Sequence, residues 1–508
     1  MPRPASSSYA DPLTPRVVAW ALGAIVLGGW VIRVFPLLRE GGAFAFPIDY
    51  DEGVYFSASA LLFRGALPYR DFVFVHPPGL LYALGLTSAF ADRLDAASAF
   101  AAARFLATVV GAANVLLVGR VALRWAGPLA GLVAAALYAT YPEVVTVERG
   151  PYLEPVLNLA CLAMALAWIS GKTRSAGALC GAACAVKVWG GLWLLAALLS
   201  RSRDRRWWEA TWLVAAAAVV GLVLVLPLAA AAPGHFWTDA LLFHAWRPPD
   251  GDIARLSRLG TIIGGSHVVA SVLAVGGFAT WLAVSETRDW SRELRFFGAA
   301  YALSVAAFLA SSGYWSQYNS HLAASEAVLA GFGATALWSL ARATVPRLER
   351  ASAPVLLVAI AAIAFPSARG SILRGRARAP EQLAVGQAIR KLAPAGECVF
   401  AFEPAWGLAG GHLPPRTGSA PVLVDPYAAM LLGAVETGSR FPDAGSAFQS
   451  AGSQAQARAL LDGCRFAVLG WRGRWQLSAD TQAWFREHFV QRHPAEGAEG
   501  IDLWERVK

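Results

Sequence analysis

Three acidic residues, Asp49, Asp51 and Glu52, lie within four positions directly after a long apolar segment. Carboxylates held close together can differ widely in proton affinity, so one of them can act as a general base. The apolar segment before them, Val17 to Leu38, is long enough to cross a bilayer. A solvated acidic loop without chemistry is the structural alternative. We predict that Asp51 or a neighbouring carboxylate is a general base at the outer face of a membrane.

The composition is that of a polytopic membrane protein. The 508 residues are 56% hydrophobic and 15% charged, and the mean hydropathy is +0.47, which is too apolar for a soluble globular protein. The net charge of +9 does not indicate nucleic-acid binding, because the basic residues lie in short loops between apolar segments. The first apolar segment is too long for a signal-peptide core, so we expect a retained anchor.

Groups of basic residues alternate with the apolar segments and predict the topology; they lie at 3–16, 120–124, 172–174, 201–206, 288–295 and 342–350. If all are cytoplasmic, an even number of crossings separates neighbouring groups. The short segment Pro77 to Phe90 is then an interfacial helix on the outer side. Residues 175–199 form a hairpin of two short helices that turns near Lys187. The result is an all-α membrane domain of about eleven transmembrane helices over 1–366, with a cytoplasmic N-terminus and a first outer loop at 40–97.

The composition changes after Pro366, and no later segment is long enough to span a membrane. Alternating patterns predict a small extracytoplasmic α/β domain over 367–508. Its expected strands are 397–403, 421–425, 464–470 and 501–505, with helices at 381–392, 453–462 and 479–489. Cys398 and Cys464 each open a strand-like segment, which allows a disulfide in an oxidising compartment.

Further polar and aromatic residues are predicted to gather at the outer face with the acidic cluster as substrate-binding candidates; they are Tyr55, His76, Glu148, Arg149, Tyr152, Glu154, Lys187, Tyr318 and His321. Ionisable residues at membrane depth, such as Glu154 and Lys187, indicate a functional cavity or an internal ion pair. Arg149 either pairs with Glu148 or Glu154 or binds a phosphate. Cations and acids together at one face suit an anionic, lipid-linked substrate whose leaving group is a phosphate.

The order of these motifs resembles a known family. The acidic pair after the first helix, His76-Pro-Pro-Gly and Glu148-Arg-Gly-Pro-Tyr-Leu-Glu-Pro are similar to motifs of the GT-C-type glycosyltransferases, in the protein O-mannosyltransferase and lipid A aminoarabinose transferase (glycosyltransferase family 39-like) group. The similarity covers about 17–366 and is strongest over 47–79, 148–158 and 175–193. It implies inverting transfer of a sugar from a polyprenyl-phosphate carrier to a lipid, glycan or protein hydroxyl, at the outer face of the bacterial cytoplasmic membrane.

The resemblance also implies roles for single residues. By position, Asp51 matches the general base, and Glu52 is expected to orient it or the acceptor. Arg149 matches a loop position used for the carrier phosphate, with Lys187 and His76 as further candidates for the same charge. His76 is a departure, since the aminoarabinose transferases carry a Lys-Pro there.

Two questions stay open at this point. Asp49 adds a third acid, and either Asp49 or Asp51 can face the substrate. The family includes metal-dependent and metal-independent members, and a divalent metal, with Asp51 and Glu154 as hard ligands, is left open.

Two other classes of protein would fit a chain with buried charges. A membrane transporter or flippase for a lipid-linked or anionic substrate is the first alternative, although such proteins tend to have paired halves with helices broken at corresponding positions, and the sequence shows no such symmetry. A non-catalytic membrane scaffold that displays the C-terminal domain is the second.

Overall fold

The computed structural model describes residues 13–201, 207–251, 253–284, 291–345, 348, 353–414, 424–435, 440–493 and 500–507. Parts of the predicted basic groups lie outside these ranges, and so does most of the predicted strand 421–425. The described part of the chain is mainly helical and contains a small sheet near its C-terminal end.

The first third of the chain folds into consecutive helices. They are α1 (Pro15–Val34), α2 (Tyr50–Phe63), α3 (Gly79–Ser88), α4 (Ala91–Leu94), α5 (Ala96–Ala126), α6 (Pro128–Thr140), α7 (Pro142–Val147) and α8 (Leu153–Ile169). Prolines begin α1, α6 and α7, where a missing N–H and a fixed φ angle suit the first helical turn. The predicted interfacial segment forms the ten-residue helix α3.

The next part continues in the same way. It comprises α9 (Thr173–Val186), α10 (Gly190–Ser200), α11 (Trp207–Ala229), α12 (Pro233–Phe236), α13 (Phe243–Trp246), α14 (Ser257–Ile263), α15 (Val268–Val284), α16 (Arg292–Ala310), α17 (Asn319–Thr344) and α18 (Ala353–Arg374). The break between α9 and α10 falls at Lys187–Trp189, where the sequence predicted the turn of a hairpin.

Several of these helices could cross a membrane. Among the described residues, seven stretches of helix are long and apolar enough: Pro15–Leu38, Ala96–Ala126, Trp207–Ala229, Gly265–Ala283, Arg292–Ala310, Ser316–Thr344 and Ala353–Arg374. Shorter apolar helices, among them α6, α8 and α10, lie between them. The prediction of a polytopic, mostly helical membrane protein is confirmed. The count of eleven crossings and the direction of each stay predictions.

Helix α18 does not end where the sequence suggested. The sequence placed the end of the membrane domain at residue 366, but the helix passes through Pro366 and continues to Arg374. Ser367 and Ser371 are buried on this extension and donate hydrogen bonds to the carbonyl oxygens of Ser266 (3.1 Å) and Thr140 (2.5 Å). Tertiary contacts of this kind stabilise a helix beyond a proline. The domain boundary at 366/367 stays a prediction.

The C-terminal part is an α/β unit. Its helices are α19 (Pro380–Leu392), α20 (Pro404–Ala409), α21 (Pro426–Val435), α22 (Ala444–Phe448), α23 (Ala451–Asp462), α24 (Trp471–Gln476) and α25 (Ala479–His488). Its strands β1 (Val399–Ala401), β2 (Phe466–Leu469), β3 (Phe489–His493) and β4 (Asp502–Arg506) form a sheet in the order β1-β2-β4-β3. Strand β1 is parallel to β2, and the other pairs are antiparallel. Strand β3 was not predicted, because its residues follow α25 directly, without a turn signal.

A disulfide joins the start of this sheet. Cys398 and Cys464 precede β1 and β2, and their Cα atoms are 4.8 Å apart. The sequence left this pairing open, and the parallel register of the two strands brings the two cysteines together.

The C-terminal unit packs directly on α2. A Cβ atom added to Gly53 would lie 2.1 Å from the backbone nitrogen of Ala405 in α20. Only glycine allows this approach of the two backbones. The glycine that follows Asp51 and Glu52 in the sequence therefore brings the C-terminal unit to the acidic cluster.

Candidate active site

The acidic cluster forms the start of α2. Asp49 is the N-cap residue, and its Oδ1 accepts a hydrogen bond from the backbone N–H of Asp51 at 3.2 Å. Glu52 reaches back and accepts from the backbone N–H of Asp49 at 3.2 Å. This is a capping box, which satisfies N–H groups that the helix itself cannot. Asp49 and Glu52 therefore stabilise the N-terminal end of α2, and Asp51 lies between them in the sequence.

Glu52 is buried and has almost no access to solvent. Its carboxylate accepts a hydrogen bond from Arg104 Nε of α5 at 2.9 Å, and both side chains are buried. A Cβ atom on Gly150 would lie 2.2 Å from Glu52 Oε2, so the segment between α7 and α8 also closes over this carboxylate. Burial raises the pKa of Glu52 to about 7, while the charge of Arg104 opposes that shift. Glu52 fixes the position of α2 against α5.

Asp51 faces a cavity of about 130 Å³ between the membrane helices and the C-terminal unit. The lining also includes Asp49, Tyr50, Val54, Tyr55, Val75, His76, Glu154, Lys187, Phe243, His244, Arg247, Asp250, Trp315, Gln317, Tyr318, Asp425, Tyr427, Ala428 and Arg472. The cavity therefore brings together the first loop, the start of α8, the break after α9, the segment before α17 and two parts of the C-terminal unit.

The environment of Asp51 raises its proton affinity. Gln317 donates a hydrogen bond to Asp51 Oδ2 at 3.1 Å. Burial raises the pKa of Asp51 to about 8, and the negative charges of Asp49, Glu154 and Asp425 act in the same direction. A carboxylate with such a pKa is a stronger base than a solvated one.

Lys187 and Glu154 form a buried ion pair beside Asp51. Lys187 Nζ donates to Glu154 Oε1 at 2.7 Å, and the ammonium lies 3.6 Å from the ring centroid of Trp189 and 4.6 Å from that of Tyr318. A carboxylate and two aromatic faces stabilise a cation in a desolvated place. The sequence predicted either a functional cavity or an internal ion pair at Glu154. The ion pair is present, and it lies on the cavity.

Two arginines complete a set of cations around the same cavity. Arg247 Nε donates to Ser312 Oγ at 3.4 Å. Arg472 comes from α24 of the C-terminal unit; it donates to Glu403 Oε1 at 3.4 Å and lies 4.6 Å from the ring centroid of Tyr50. Lys187, Arg247 and Arg472 thus present three positive charges from three distant parts of the chain.

His76 lines the cavity as a neutral side chain. Its Nε2 is 3.3 Å from the Tyr55 hydroxyl, and its ring stacks on His244 with centroids 5.2 Å apart. Burial holds the pKa of His76 well below its ordinary value, with the charge of His244 acting in the same direction. Burial likewise lowers the pKa of His244 to about 4. The pair is suited to hydrogen bonding and does not add positive charge.

The C-terminal unit closes one side of the cavity. The Tyr50 hydroxyl donates to Asp425 Oδ1 at 2.5 Å and accepts from the backbone N–H of Tyr427 at 2.9 Å. The Tyr427 hydroxyl in turn donates to Asp250. These bonds connect α2, the start of α21 and the segment after α13 at the cavity wall.

A second cavity of about 470 Å³ adjoins the first through Asp425, which lines both. Its walls come from the first loop, the region of α12 and α13, and the C-terminal unit, and they include Tyr69, Trp246, Asp239 and Gln456. Aromatic faces with carboxylate and amide groups between them suit a ligand that is both hydroxylated and partly apolar.

Seven of the predicted site residues line the first cavity, and five do not. Those on the cavity are Asp49, Asp51, Tyr55, His76, Glu154, Lys187 and Tyr318. Those away from it are Glu52, Glu148, Arg149, Tyr152 and His321.

Glu148 and Arg149, which lie between α7 and α8, form part of the helix packing. Glu148 accepts hydrogen bonds from Arg33, Asn114 and Tyr138, all buried. Arg149 donates to the carbonyl oxygen of Ile32 at 2.9 Å. The pairing of Arg149 with Glu148 or Glu154 was one of two alternatives from the sequence, and in the described part of the chain Glu148 pairs instead with Arg33 and Glu154 with Lys187.

The remaining residues off the cavity are also buried. Arg149 lies 4.7 Å from the ring centroid of Phe46, in a different place from Lys187. His321 Nδ1 donates a hydrogen bond to Asn158 Oδ1 at 2.9 Å, and Trp193 Nε1 donates to His321 Nε2 at 3.3 Å. Tyr152 is 6% exposed. None of these side chains reaches the cavity that Asp51 lines.

Sequence reasoning missed Tyr50, Arg247, Gln317, Asp425 and Arg472. A weak signal existed for two of them, since Arg247 precedes Pro-Pro-Asp250 and Gln317 lies in the polar turn 313–321. Asp425 and Arg472 had no local signal, because they belong to a unit whose contact with α2 depends on tertiary packing.

The cavity residues do not form a set that fits a metal ion. Among the described residues, no group of three or more His, Cys, Asp or Glu side chains is arranged to hold one. Glu154, one of the two ligands suggested by the sequence, already binds the ammonium group of Lys187.

Comparison with known proteins finds no match by sequence, but it finds solved structures with a similar fold. No protein-family model and no curated protein matches the chain. The fold is similar to that of ArnT from Cupriavidus metallidurans bound to undecaprenyl phosphate, with a TM-score of 0.63, 16% identity, and 97% of this chain and 99% of that chain covered.

A second solved structure has a related architecture. The oligosaccharyltransferase of Archaeoglobus fulgidus in the apo form gives a TM-score of 0.58 at 11% identity, with 96% of this chain and 74% of that chain covered. The oligosaccharyltransferase AglB from the same organism, in complex with an inhibitory peptide and a dolichol-phosphate, gives a TM-score of 0.57. The resemblance found in the sequence is thus confirmed in three dimensions, and the chain has the fold of the GT-C-type glycosyltransferases.

Proposed function

We propose that this protein transfers a sugar from a polyprenyl-phosphate carrier to an acceptor hydroxyl at the outer face of the cytoplasmic membrane. The observation that carries the proposal is the placement of Asp51 in one cavity with Lys187, Arg247 and Arg472. A base and a set of cations are what an acceptor hydroxyl and a departing phosphate require. The orientation of the chain follows the positive-inside pattern of its loops.

Asp51 acts as the general base. Its carboxylate takes the proton of the acceptor hydroxyl while the hydroxyl oxygen attacks the anomeric carbon. The bond from that carbon to the phosphate oxygen breaks, and the polyprenyl phosphate leaves with the electron pair. Attack opposite the leaving group inverts the anomeric configuration. Gln317, through its hydrogen bond to Oδ2, orients the carboxylate.

The cations stabilise the leaving phosphate. Lys187, Arg247 and Arg472 are held at the wall by Glu154, Ser312 and Glu403 before any substrate arrives. Charges that are oriented in advance need not reorganise as the phosphate gains negative charge, which is the main source of their effect. We assign the phosphate to this set, in place of Arg149, because Arg149 lies off the cavity.

The acceptor reaches Asp51 through the second cavity. This route is supported by Asp425, which lines both cavities, and by the aromatic and polar walls of the larger one. The acceptor is a lipid, glycan or protein hydroxyl. The shape of the smaller cavity selects the sugar.

The proposal is tested by comparing envelope glycolipids and glycoproteins by mass spectrometry in cells that lack the gene. A specific sugar modification should disappear and return with the wild-type gene. Asp51→Asn should fail to restore it although the protein is present in the membrane at normal amount. Asp49→Asn, a matched carboxylate two positions away, should restore it. Full restoration by Asp51→Asn would reject the base assignment and favour the transporter or flippase alternative.

A further inference from the structure

A third cavity, of about 700 Å³, lies where α5 and α8 end and α9 begins. It is separate from the candidate active site. Glu154 is in the first turn of α8, whereas Ser170, on the third cavity, follows the last residue of that helix. Lys187 follows α9, whereas Lys172 precedes it. The fourteen residues of α9 span roughly 21 Å, so the two cavities lie at opposite ends of the same helices.

Three cations line this cavity. Arg120 and Arg124 are four residues apart on α5, so they project from one face of that helix. Lys172 adds a third charge from the turn between α8 and α9. Among the described lining residues there is no Asp or Glu. The candidate active site differs in this respect, because carboxylates accompany its cations.

The start of α9 adds neutral donors to the same place. Lys172 is the N-cap residue of α9, and its side chain makes no capping hydrogen bond to the helix. The N–H of Thr173 donates to the carbonyl oxygen of Gly171, and no side chain caps the N–H groups that follow it, so this helix N-terminus attracts an anion. The hydroxyls of Ser170 and Ser175 line the cavity beside them. Cations, N–H groups and hydroxyls together form a site for a phosphate.

The rest of the wall is apolar. Leu117 and Leu123 of α5 and Leu166 of α8 line it, and α5 is one of the helices long and apolar enough to cross a membrane. A free phosphate or a nucleotide has no hydrocarbon chain that would contact such an apolar wall. A molecule with a charged phosphate and hydrocarbon chains fits both halves.

We infer that this cavity binds the headgroup phosphate of an anionic phospholipid, with acyl chains along the leucines. The membrane surface where the positive-inside pattern places Arg120, Arg124 and Lys172 is rich in such lipids. The bound phosphate would join α5 to the α8–α9 turn, which Gly171, at φ +74°, makes tight. The inference is independent of the proposed sugar transfer.

The test is native mass spectrometry of the full-length protein released from micelles that contain equal amounts of phosphatidylglycerol and phosphatidylcholine. Wild-type protein should retain phosphatidylglycerol in preference. Arg120→Gln, Arg124→Gln and Lys172→Gln should each weaken retention about fivefold, since a basic residue near an anionic headgroup contributes about 1 kcal/mol. The triple variant should retain the two lipids alike.

Arg342→Gln is the matched control, because Arg342 is a basic residue in the last turn of α17 that does not line the cavity. It should retain phosphatidylglycerol as wild type does. Unchanged retention in all three single variants would overturn the inference, even if the triple variant did not fold. Displacement of the lipid by inorganic phosphate at equal concentration, or preferential retention of added polyprenyl phosphate, would also contradict it.

Discussion

The hydroxyl of Tyr50 donates a 2.5 Å hydrogen bond to the carboxylate of Asp425, which lies 375 positions later in the chain. Tyr50 is the first residue of α2 and Asp425 directly precedes α21, so this bond joins the helix that carries Asp51 to the C-terminal unit. Both residues line the candidate active site. The cavity is therefore complete only when the two parts of the chain are packed together.

Removing this hydroxyl should loosen the C-terminal unit. In Tyr50→Phe, the buried carboxylate of Asp425 loses the hydroxyl donor and keeps the N–H of Ala428, while the N–H of Tyr427 loses its acceptor. An unsatisfied buried group costs about 1–3 kcal/mol, so the melting temperature should fall and sugar transfer should decrease. Hydrogen exchange should rise at 424–435.

Tyr82→Phe is the control for this change. The Tyr82 hydroxyl donates to the carbonyl oxygen of Leu224 at 3.0 Å, away from the C-terminal unit. Similar exchange at 424–435 in both variants would show that the Tyr50 bond does not hold the two parts together.

The pH dependence of transfer should report the ionisation of Asp51. Burial raises the pKa of Asp51 to about 8, so the carboxylate form needed for proton abstraction is scarce at low pH. Below pH 8, kcat/KM should therefore rise by about tenfold for each pH unit and then level off above it.

Asp49→Asn should move this profile in a known direction. The charge of Asp49 is one cause of the raised pKa of Asp51, so its removal lowers that pKa and shifts the rise in kcat/KM to lower pH. Asn is as good an N-cap as Asp, so the helix start is kept. An unchanged profile in this variant would mean that another group limits the rate.

Arg247 and Arg149 mark two alternative binding positions for the phosphate of the carrier. Arg247→Ala should raise the KM for a polyprenyl-phosphate sugar by about tenfold or more, because hydrogen bonds to charged groups contribute about 1.5–3 kcal/mol. Arg149→Ala should lower the melting temperature and leave that KM within about twofold. Steady-state kinetics with varied donor separates the two. The opposite pattern would restore the assignment that the sequence made to Arg149.

Local features of the sequence were enough to find the class of protein and part of its site. Hydropathy and the pattern of basic residues identified a polytopic membrane protein, since both depend on composition over short windows. Asp51, Glu154 and Lys187 were predicted because acids after a membrane helix and charges at membrane depth are unusual wherever they occur, and His76 was predicted from its place before Pro-Pro-Gly.

The choice of partner for each charge depended on the tertiary structure. Arg149 had acids within five residues, yet Glu148 pairs with Arg33 and Glu154 with Lys187. Ion pairs inside a protein form between groups that packing brings within a few ångströms, and spacing along the chain does not determine those distances. For the same reason Asp425 and Arg472, in a unit predicted to be separate, line the cavity beside Asp51. The sequence alone predicted a charged site and the segments that carry it, and only the folded chain decided which charges face the cavity and which are used to hold helices together.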